Sequence, residues 1–515
     1  MFCIHFSEQV YIQIMSAVEN FGYVLEYVLD YVEINVLTVA LGLVVFVLLF
    51  WSSILEKHKY PPGPIPLPFI GNGYSIFAKN KSQFRYKNWS RKYGNVVSYV
   101  MFGQWTVELF GYDAIHEAFV ERSDIFSNRE AHILQKVVKA KGLIFSDDWK
   151  ELRRQALTVF RDHGMGKLVM EAKIIEEQEY LIGKLSSLKG TQSSDTFKLV
   201  VGGAVSNVIN QVVFGRRLDY EDVDLKCLRF FEAYYVAALK ALLIPGYKYL
   251  PWDPIGLRPL QLYERQAREF FRSEVELHRK SLDINEPRDY IDTFLIEGIK
   301  NGNSLFSDEE ELCSTISQLY IAGYDTTSTT LTWALLFLVN YPQCQDKIHE
   351  EICKTVGSRA VCWKDRVSMH YTQAFIQEVL RFSGLTGSAL SHVCTADTVI
   401  QGHSIPKGCR IMANLYSTYH DESVFPESYL FKSERFLNSD GEFVKPTGKQ
   451  MLPFSLGKRA CLGEGLARTE LFMFLVSIVQ QFHFTAVGET KSAEEGIDVF
   501  THSPLPFKYT FCARE

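Results

Sequence analysis

Residues 34–54 form the longest apolar run of this chain and carry no charged side chain. At about 1.5 Å per helical residue, some 21 residues cover a bilayer core of about 30 Å, so the run predicts an N-terminal transmembrane helix. Beyond it, Tyr60-Pro61-Pro62-Gly63-Pro64-Ile65-Pro66-Leu67-Pro68 has no helical or strand rhythm. Each proline fixes its own φ and turns its predecessor away from helix, which predicts a stiff, extended spacer. From Val96 to Leu109, apolar and polar positions alternate on either side of Gly103-Gln104, the pattern of a β-hairpin. Helical spacing then takes over at Asp113–Glu121, Asp147–Phe160, Leu168–Leu185, Phe197–Val213, Asp224–Leu242, Leu260–Lys280, Asp308–Asn340, Pro342–Val356 and Thr372–Phe382. Short strands return around Thr398–Ile405 and Phe507–Cys512, and Ser186–Thr196 reads as a small polar linker. The pattern predicts a mainly α body with a minor β part.

Composition narrows the function. Apolar residues make up 47% of the 515 residues, enough for one large core, and a net charge of −6 argues against nucleic acid as a partner. Ten scattered cysteines without a C-x-x-C pair indicate a reducing compartment. Glu8, Glu19, Glu26, Asp30 and Glu33 precede the apolar run, whereas Lys57, His58 and Lys59 follow it. The positive-inside rule therefore places the large C-terminal part in the cytosol. With no Lys or Arg before Lys57, neither a cleavable signal peptide nor a mitochondrial transit peptide fits. The sequon Asn88-Trp89-Ser90 is then expected to stay bare. The predicted division is 1–56 for a lumenal segment and anchor, 57–72 for a basic, proline-rich hinge, and 73–515 for a catalytic domain. The aromatic loop Leu242–Trp252 either dips into the bilayer interface or packs on the protein itself.

Four constellations carry chemistry. Phe454-Ser455-Leu456-Gly457-Lys458-Arg459-Ala460-Cys461-Leu462-Gly463 places a cysteine in a glycine-bracketed turn that leads into an apolar helix, Leu466 to Val479. A thiolate at a helix N-terminus meets free N–H groups and the positive end of the dipole, a good setting for a soft metal ligand. Phe454 shields the sulfur, Arg459 offers a fork for a carboxylate, and the glycines permit a sharp turn close to a flat partner. In the longest predicted helix, opened by a Ser307/Glu310 capping box, lies Ala322-Gly323-Tyr324-Asp325-Thr326-Thr327. The Thr326 hydroxyl reaches the Ala322 carbonyl, opening a small groove where an acid and an alcohol deliver protons to a bound ligand. Glu378 and Arg381 sit one turn apart as a buried ion pair, and Glu434-Arg435-Phe436 supplies a third member. Trp149 and Arg153 share a helical face, suited either to clamping a carboxylate or to cation–π packing.

Taken together, these motifs resemble cytochrome P-450, the haem-thiolate monooxygenases, and specifically the membrane-anchored microsomal branch of animals. The resemblance covers nearly everything from Pro61 to the C-terminus. Phe454–Gly463 matches F-x-x-G-x-R-x-C-x-G, Ala322–Thr327 matches the oxygen-binding helix, and Glu378–Arg381 matches E-x-x-R. The resemblance implies the cytochrome P-450 fold, a helical body around haem b with a small sheet region. By it Cys461 is the haem-iron ligand, and Asp325 and Thr326 relay protons to bound dioxygen. Arg129, Trp149, Arg153, His392 and Arg459 match positions that hold the propionates, with Ala322, Phe454 and Gly463 against the cofactor. Electrons are expected from NADPH through a cytochrome P-450 reductase, with cytochrome b5 as a second donor, and Lys150, Arg154, Lys449 and Lys458 form a candidate docking face. The implied place is the endoplasmic reticulum membrane, single-pass, with membrane lipid at the entrance. Expected pocket segments Ala131–Lys141, Phe230–Leu243 and Thr501–Leu505 are largely apolar, which points to a small lipophilic substrate such as a steroid, fatty acid, terpenoid or xenobiotic.

Two departures stand out. Where the microsomal branch has P-x-x-x-P-H, this chain has Gly387-Ser388-Ala389-Leu390-Ser391-His392, so a more flexible loop over the haem is expected. The usual P-E-R-F is Ser433-Glu434-Arg435-Phe436. Competing activities are a peroxide-rearranging isomerase or dehydratase, against which the Asp325-Thr326 pair counts, and a non-catalytic haem carrier or sensor.

Overall fold

The computed structural model describes residues 36–67, 71–73, 81–101, 103–129, 141–162, 168–220, 252–253, 256–302, 304–447, 449, 451–489, 495–498 and 501–514. The expected helix Asp224–Leu242, pocket segment Phe230–Leu243, most of Leu242–Trp252 and residues 131–140 lie outside this set.

Among the described residues, ten longer helices carry the fold: α1 (Val36–Lys57), α2 (Trp149–Asp162), α3 (Leu168–Ser187), α4 (Ser194–Val213), α5 (Leu257–Lys280), α6 (Tyr290–Asn301), α7 (Glu309–Asn340), α8 (Pro342–Thr355), α9 (His370–Ser383) and α10 (Glu464–Gln481). Eleven short strands accompany them among those residues. β1 (Val96–Met101), β2 (Gln104–Phe110), β7 (Arg410–Asn414) and β4 (His392–Val393) form one sheet in the order β1-β2-β7-β4. β3 (Gln192–Ser193), β11 (Lys508–Ala513) and β8 (Phe482–Ala486) form a second in the order β3-β11-β8. β5 (Thr398–Ile400) pairs with β6 (His403–Ile405), and β9 (Gly496–Asp498) with β10 (His502–Pro504).

The predicted hairpin is present: β1 and β2 are antiparallel with Met101 opposite Gln104, turning through Gly103 at φ +73°. β2 then runs parallel to β7, and β4 closes the sheet with His392 opposite Ile411. The polar linker expected at Ser186–Thr196 is shorter, because α3 runs to Ser187 and Ser193 already caps α4, accepting from Thr196 N.

Helix α7 runs through the core beside α4, and both are buried along most of their length. Glycines set the distance between them. A Cβ at Gly202 of α4 would fall 2.5 Å from the Tyr324 ring, and one at Gly323 of α7 would fall 2.6 Å from Ile209. Gly323, in the interior of a helix, is thus a packing requirement. Helix α7 is also continuous, without the opening expected at Thr326, because the threonine back-bond fits inside an α-helical turn. Its N-cap is Asp308, whose side chain accepts from Glu310 N and Glu311 N, rather than Ser307, which ends a short preceding helix. A carboxylate beside the N–H groups of a helix start is the stronger acceptor.

The segment after α1 lies fastened along β1. Lys57 Nζ donates to Pro61 O (2.6 Å) and Ser98 Oγ (2.5 Å), Ser98 N donates to Pro62 O (2.9 Å), and Tyr60 stacks on Trp105 at 4.0 Å. Helix α1 coincides with the predicted span, and its described apolar side chains, among them Leu41, Leu43, Val47 and Leu48, are exposed. Among the described residues, no helix meets the length and hydropathy needed to cross a membrane.

Candidate functional site

The cysteine turn folds as its glycines suggest, with one difference. Cys461 N donates to Phe454 O at 2.8 Å, closing the loop. Gly457 has φ +77°, and a Cβ there would come within 2.0 Å of the Phe119 carbonyl oxygen, so only glycine fits. Gly463 has φ −89° and open space where a Cβ would point, so the backbone itself does not demand glycine there. Gly463 caps α10, which brings its N–H and that of Glu464 onto the Cys461 thiol. Surrounding protein pushes the Cys461 thiol up, while these N–H groups and the Arg153 guanidinium pull it down. By area Cys461 is nevertheless exposed. Both statements hold for a sulfur that lies deep in the body and faces an internal cleft.

Three guanidiniums converge beside it. Arg459 is buried, donating from Nε to Ser127 O (3.0 Å) and from Nη1 to Leu143 O (3.1 Å), with its guanidinium 3.7 Å from the centre of the Trp149 ring. Arg153 Nη2 donates to Ala460 O at 2.6 Å. Burial, then the charges of Arg129 and Arg153, lower the Arg459 pKa to about 8. Cation–π packing therefore does occur on Trp149, but from Arg459 rather than from Arg153 on its own helix. The Trp149 indole N–H points at Asn128 Oδ1, 3.4 Å away. His392 Nδ1 lies 2.5 Å from Phe126 O, an atom that only accepts, so Nδ1 carries the proton. The His392 ring stacks on Phe119 at 4.2 Å, and burial with Arg129 and Arg459 lowers its pKa to about 3. Three mutually repelling cations, two of which (Arg459 and Arg153) donate to main-chain carbonyls, are a donor set that fits a group bearing carboxylates, as the propionates of haem b do.

Across from the cysteine turn, α7 presents the expected acid and alcohol. Thr326 Oγ1 donates to Ala322 O at 2.6 Å, and Ala322 is exposed although it lies mid-helix in the core. A small cavity is lined by Thr326 and Thr327 of α7, Leu385 and Thr386 of the loop after α9, and Phe454 and Ala467 around the cysteine. It joins the two motifs that lie some 135 residues apart in the chain.

Asp325 does not face this cavity as a free acid. It is buried, and its Oδ1 accepts from Lys198 Nζ (2.8 Å) and Thr329 Oγ1 (3.2 Å), its Oδ2 from Thr501 Oγ1 (2.6 Å). Lys198 lies on α4 and Thr501 just before β10, and no local sequence signal marks either as a partner. A second acid, Glu470 of α10, is fully buried, bonded to Thr327, and held well above the ordinary carboxyl pKa by burial. An acid inside the apolar run Leu471–Val479 and its approach is a signal that could have found it. The Glu378–Arg381 pair is completely buried at 2.7 Å, with Arg435 Nε 3.5 Å from Glu378, while Glu434 instead pairs with Lys347 at 2.7 Å.

Comparison with known proteins agrees with this geometry. The family model described as Cytochrome P450 matches residues 61–511. The chain is 38% identical over 480 residues to human Cytochrome P450 2C8, covering 91% of this chain and 97% of the relative. It is 36% identical over 489 residues to Cytochrome P450 2C29 of Mus musculus (93% and 99% covered) and 36% over 473 residues to Cytochrome P450 2E1 of the same species (90% and 94%).

Proposed function

The chain belongs to the cytochrome P450 family of haem b monooxygenases, and we propose that it inserts one oxygen atom of O2 into a lipophilic substrate at the endoplasmic reticulum membrane. Haem b, when bound, supplies the iron at which dioxygen is activated for C–H or C=C oxidation.

The residues divide the remaining work. Cys461 would hold the iron as a thiolate: burial raises its pKa, the N–H groups of Gly463 and Glu464 and the Arg153 charge oppose that rise, and coordination to the metal would complete the deprotonation. Arg129, Arg153 and Arg459 neutralise the propionates, and the carboxylates in turn relieve the repulsion among the guanidiniums. Trp149 would join them once its indole N–H turned from Asn128, whereas His392, with a pKa lowered to about 3 and no proton on Nε2, would join only where the carboxylates raise that pKa enough to make it an imidazolium. Ala322, Phe454 and Gly463 flank the macrocycle. Thr326 holds one of the hydroxyls that line the cavity and passes a proton there, and Asp325 supplies that route only when a donor among Lys198, Thr329 and Thr501 releases it.

The supply side follows from position. The uncharged run 34–54 is the single membrane span of this reading, with 1–56 as lumenal segment and anchor and 73–515 as the cytosolic catalytic domain; the segment between, fastened on β1, holds that domain at a set attitude. NADPH-dependent cytochrome P450 reductase, with cytochrome b5 as a second donor, docks on exposed Lys150, Arg154, Lys449 and Lys458. Steroids, fatty acids, terpenoids and xenobiotics share the apolar character this pocket favours.

The observation that supports this reading most directly is the cavity between Thr326 and Phe454, near the Cys461 thiol and a guanidinium cluster in which Arg459 donates to the main-chain carbonyls of Ser127 and Leu143. A reduced CO-difference spectrum of the haem-loaded full chain should show the Soret band of thiolate ligation, and Cys461→Ala should abolish it. A well-folded, haem-loaded wild type without that band refutes the assignment of Cys461.

A further inference from the structure

The loop from Leu385 to Ser391 was expected to be looser for want of two prolines, yet it is fastened at several points. Tyr416 N donates to Gly387 O (2.9 Å) and Ala389 N to Ala413 O (2.9 Å), tying it to the end of β7. Ser388 Oγ meets Ser82 Oγ at 2.9 Å and accepts from Arg85 Nη2 at 3.1 Å. Arg85 is itself buried and paired through Nε with buried Glu108 of β2 at 2.7 Å. Asn414 completes the frame, donating from Nδ2 to Glu108 Oε1 (2.8 Å) and Ser82 O (3.1 Å). Gly387 permits the approach, since a Cβ there would fall 2.7 Å from Ser82 Oγ and 2.8 Å from Ser82 Cβ. Proline at 387 would carry that Cβ, so the clamp and the proline exclude each other.

The residues just before the clamp, Leu385 and Thr386, line the same cavity as Thr326 and Phe454. We propose that Ser388, held by Ser82 and Arg85, is a specificity-determining residue: the clamp sets how far Leu385 and Thr386 reach over the cavity, and so the width of substrate that fits beside Thr326. The polar clamp takes over the stiffening that prolines would give, but anchors the loop to the Lys81–Arg85 helix at a chosen height instead of restricting its own dihedrals. This inference rests on the lipophilic-pocket reading above.

The test uses the haem-loaded full chain and Ser388→Ala, with Ser82→Ala as a milder second variant that keeps the Arg85 bond. Hydrogen exchange at the Ala389 amide, followed without substrate, should quicken about tenfold in Ser388→Ala, the scale of one to two net hydrogen bonds. The ratio of dissociation constants for a rigid steroid and a flexible twelve-carbon fatty acid, read from the haem spin-state shift, should change at least about threefold. Haem content and the thiolate spectrum should stay as in wild type. Unchanged exchange overturns the clamp, and faster exchange with an unchanged ratio overturns its role in specificity. A wild type whose spin state responds to neither probe refutes the lipophilic pocket itself and the specificity claim with it, while exchange still reports on the clamp separately.

Discussion

Replacing Lys198 by methionine removes the ammonium from a buried carboxylate without removing the stem that packs α4 against α7. Asp325 is about 1% exposed and would keep the hydroxyl donors Thr329 and Thr501 but lose the ammonium. Breaking a fully buried ion pair by deleting one partner costs about 3–5 kcal/mol. Lys198 keeps 24% of its side chain accessible, so water screens part of this and about 2–3 kcal/mol is the fitting scale. With an unfolding entropy near 2.1 cal/mol/K per residue over roughly 450 residues, the thermal midpoint falls by about 2–3 °C. The sign with pH is specific. Without the ammonium, the folded Asp325 carboxyl rises above its unfolded value, so the variant's deficit is largest at alkaline pH and shrinks as acid neutralises the group. Calorimetry of haem-loaded wild type, Lys198→Met, Asp325→Asn and the double variant from pH 5 to 8.5 measures this. The double variant should recover most of the loss and its pH dependence. A Lys198→Met deficit that is the same at every pH, or that Asp325→Asn fails to repair, refutes the ion-pair reasoning.

Glu470→Gln should act in the opposite sense. Its unfolded carboxyl ionises near 4.5 while the folded one stays protonated to higher pH. Between those values wild-type stability therefore falls by about 1.4 kcal/mol per pH unit, and denaturant melts at pH 5 and 8 should show the variant lacking that slope. Gly457→Ala should cost the cysteine loop its fold, because φ +77° and a 2.0 Å approach to Phe119 O leave no room; expression with haem content near zero is the expected outcome, whereas Gly463→Ala should fold and test purely how closely the cofactor lies. Thr326→Ala should keep the CO spectrum and divert electrons to hydrogen peroxide, seen as NADPH consumed without matching product; normal coupling would remove Thr326 from the proton path.

Much of this protein was legible before any coordinates. The hairpin at Gly103-Gln104, the helices α7 to α10 and the buried Glu378–Arg381 pair all follow from periodicity or from spacing within one or two turns, which local geometry fixes. The cysteine turn was readable for the same reason: its hydrogen bond from Cys461 to Phe454 spans only seven residues. Where the reading went astray, a distant contact decided. Nothing local explains Gly323 until Ile209 of α4 lies against it, and the proline-free loop, expected to be loose, is held where Ser82 and Arg85 meet Ser388.

By itself, then, the sequence determined a mainly helical protein of the P450 family and the proposal of Cys461 as ligand with Thr326 opposite it, because those readings rest on motifs whose members sit within a few residues of one another. Only the tertiary structure decided that Asp325 is held by Lys198 and Thr501, that Arg459 rather than Arg153 stacks on Trp149, and that the loop over the cavity is clamped. Those partners stand far apart along the chain, and nothing in local propensity or charge spacing encodes which distant donor a buried acceptor will meet once the core has closed.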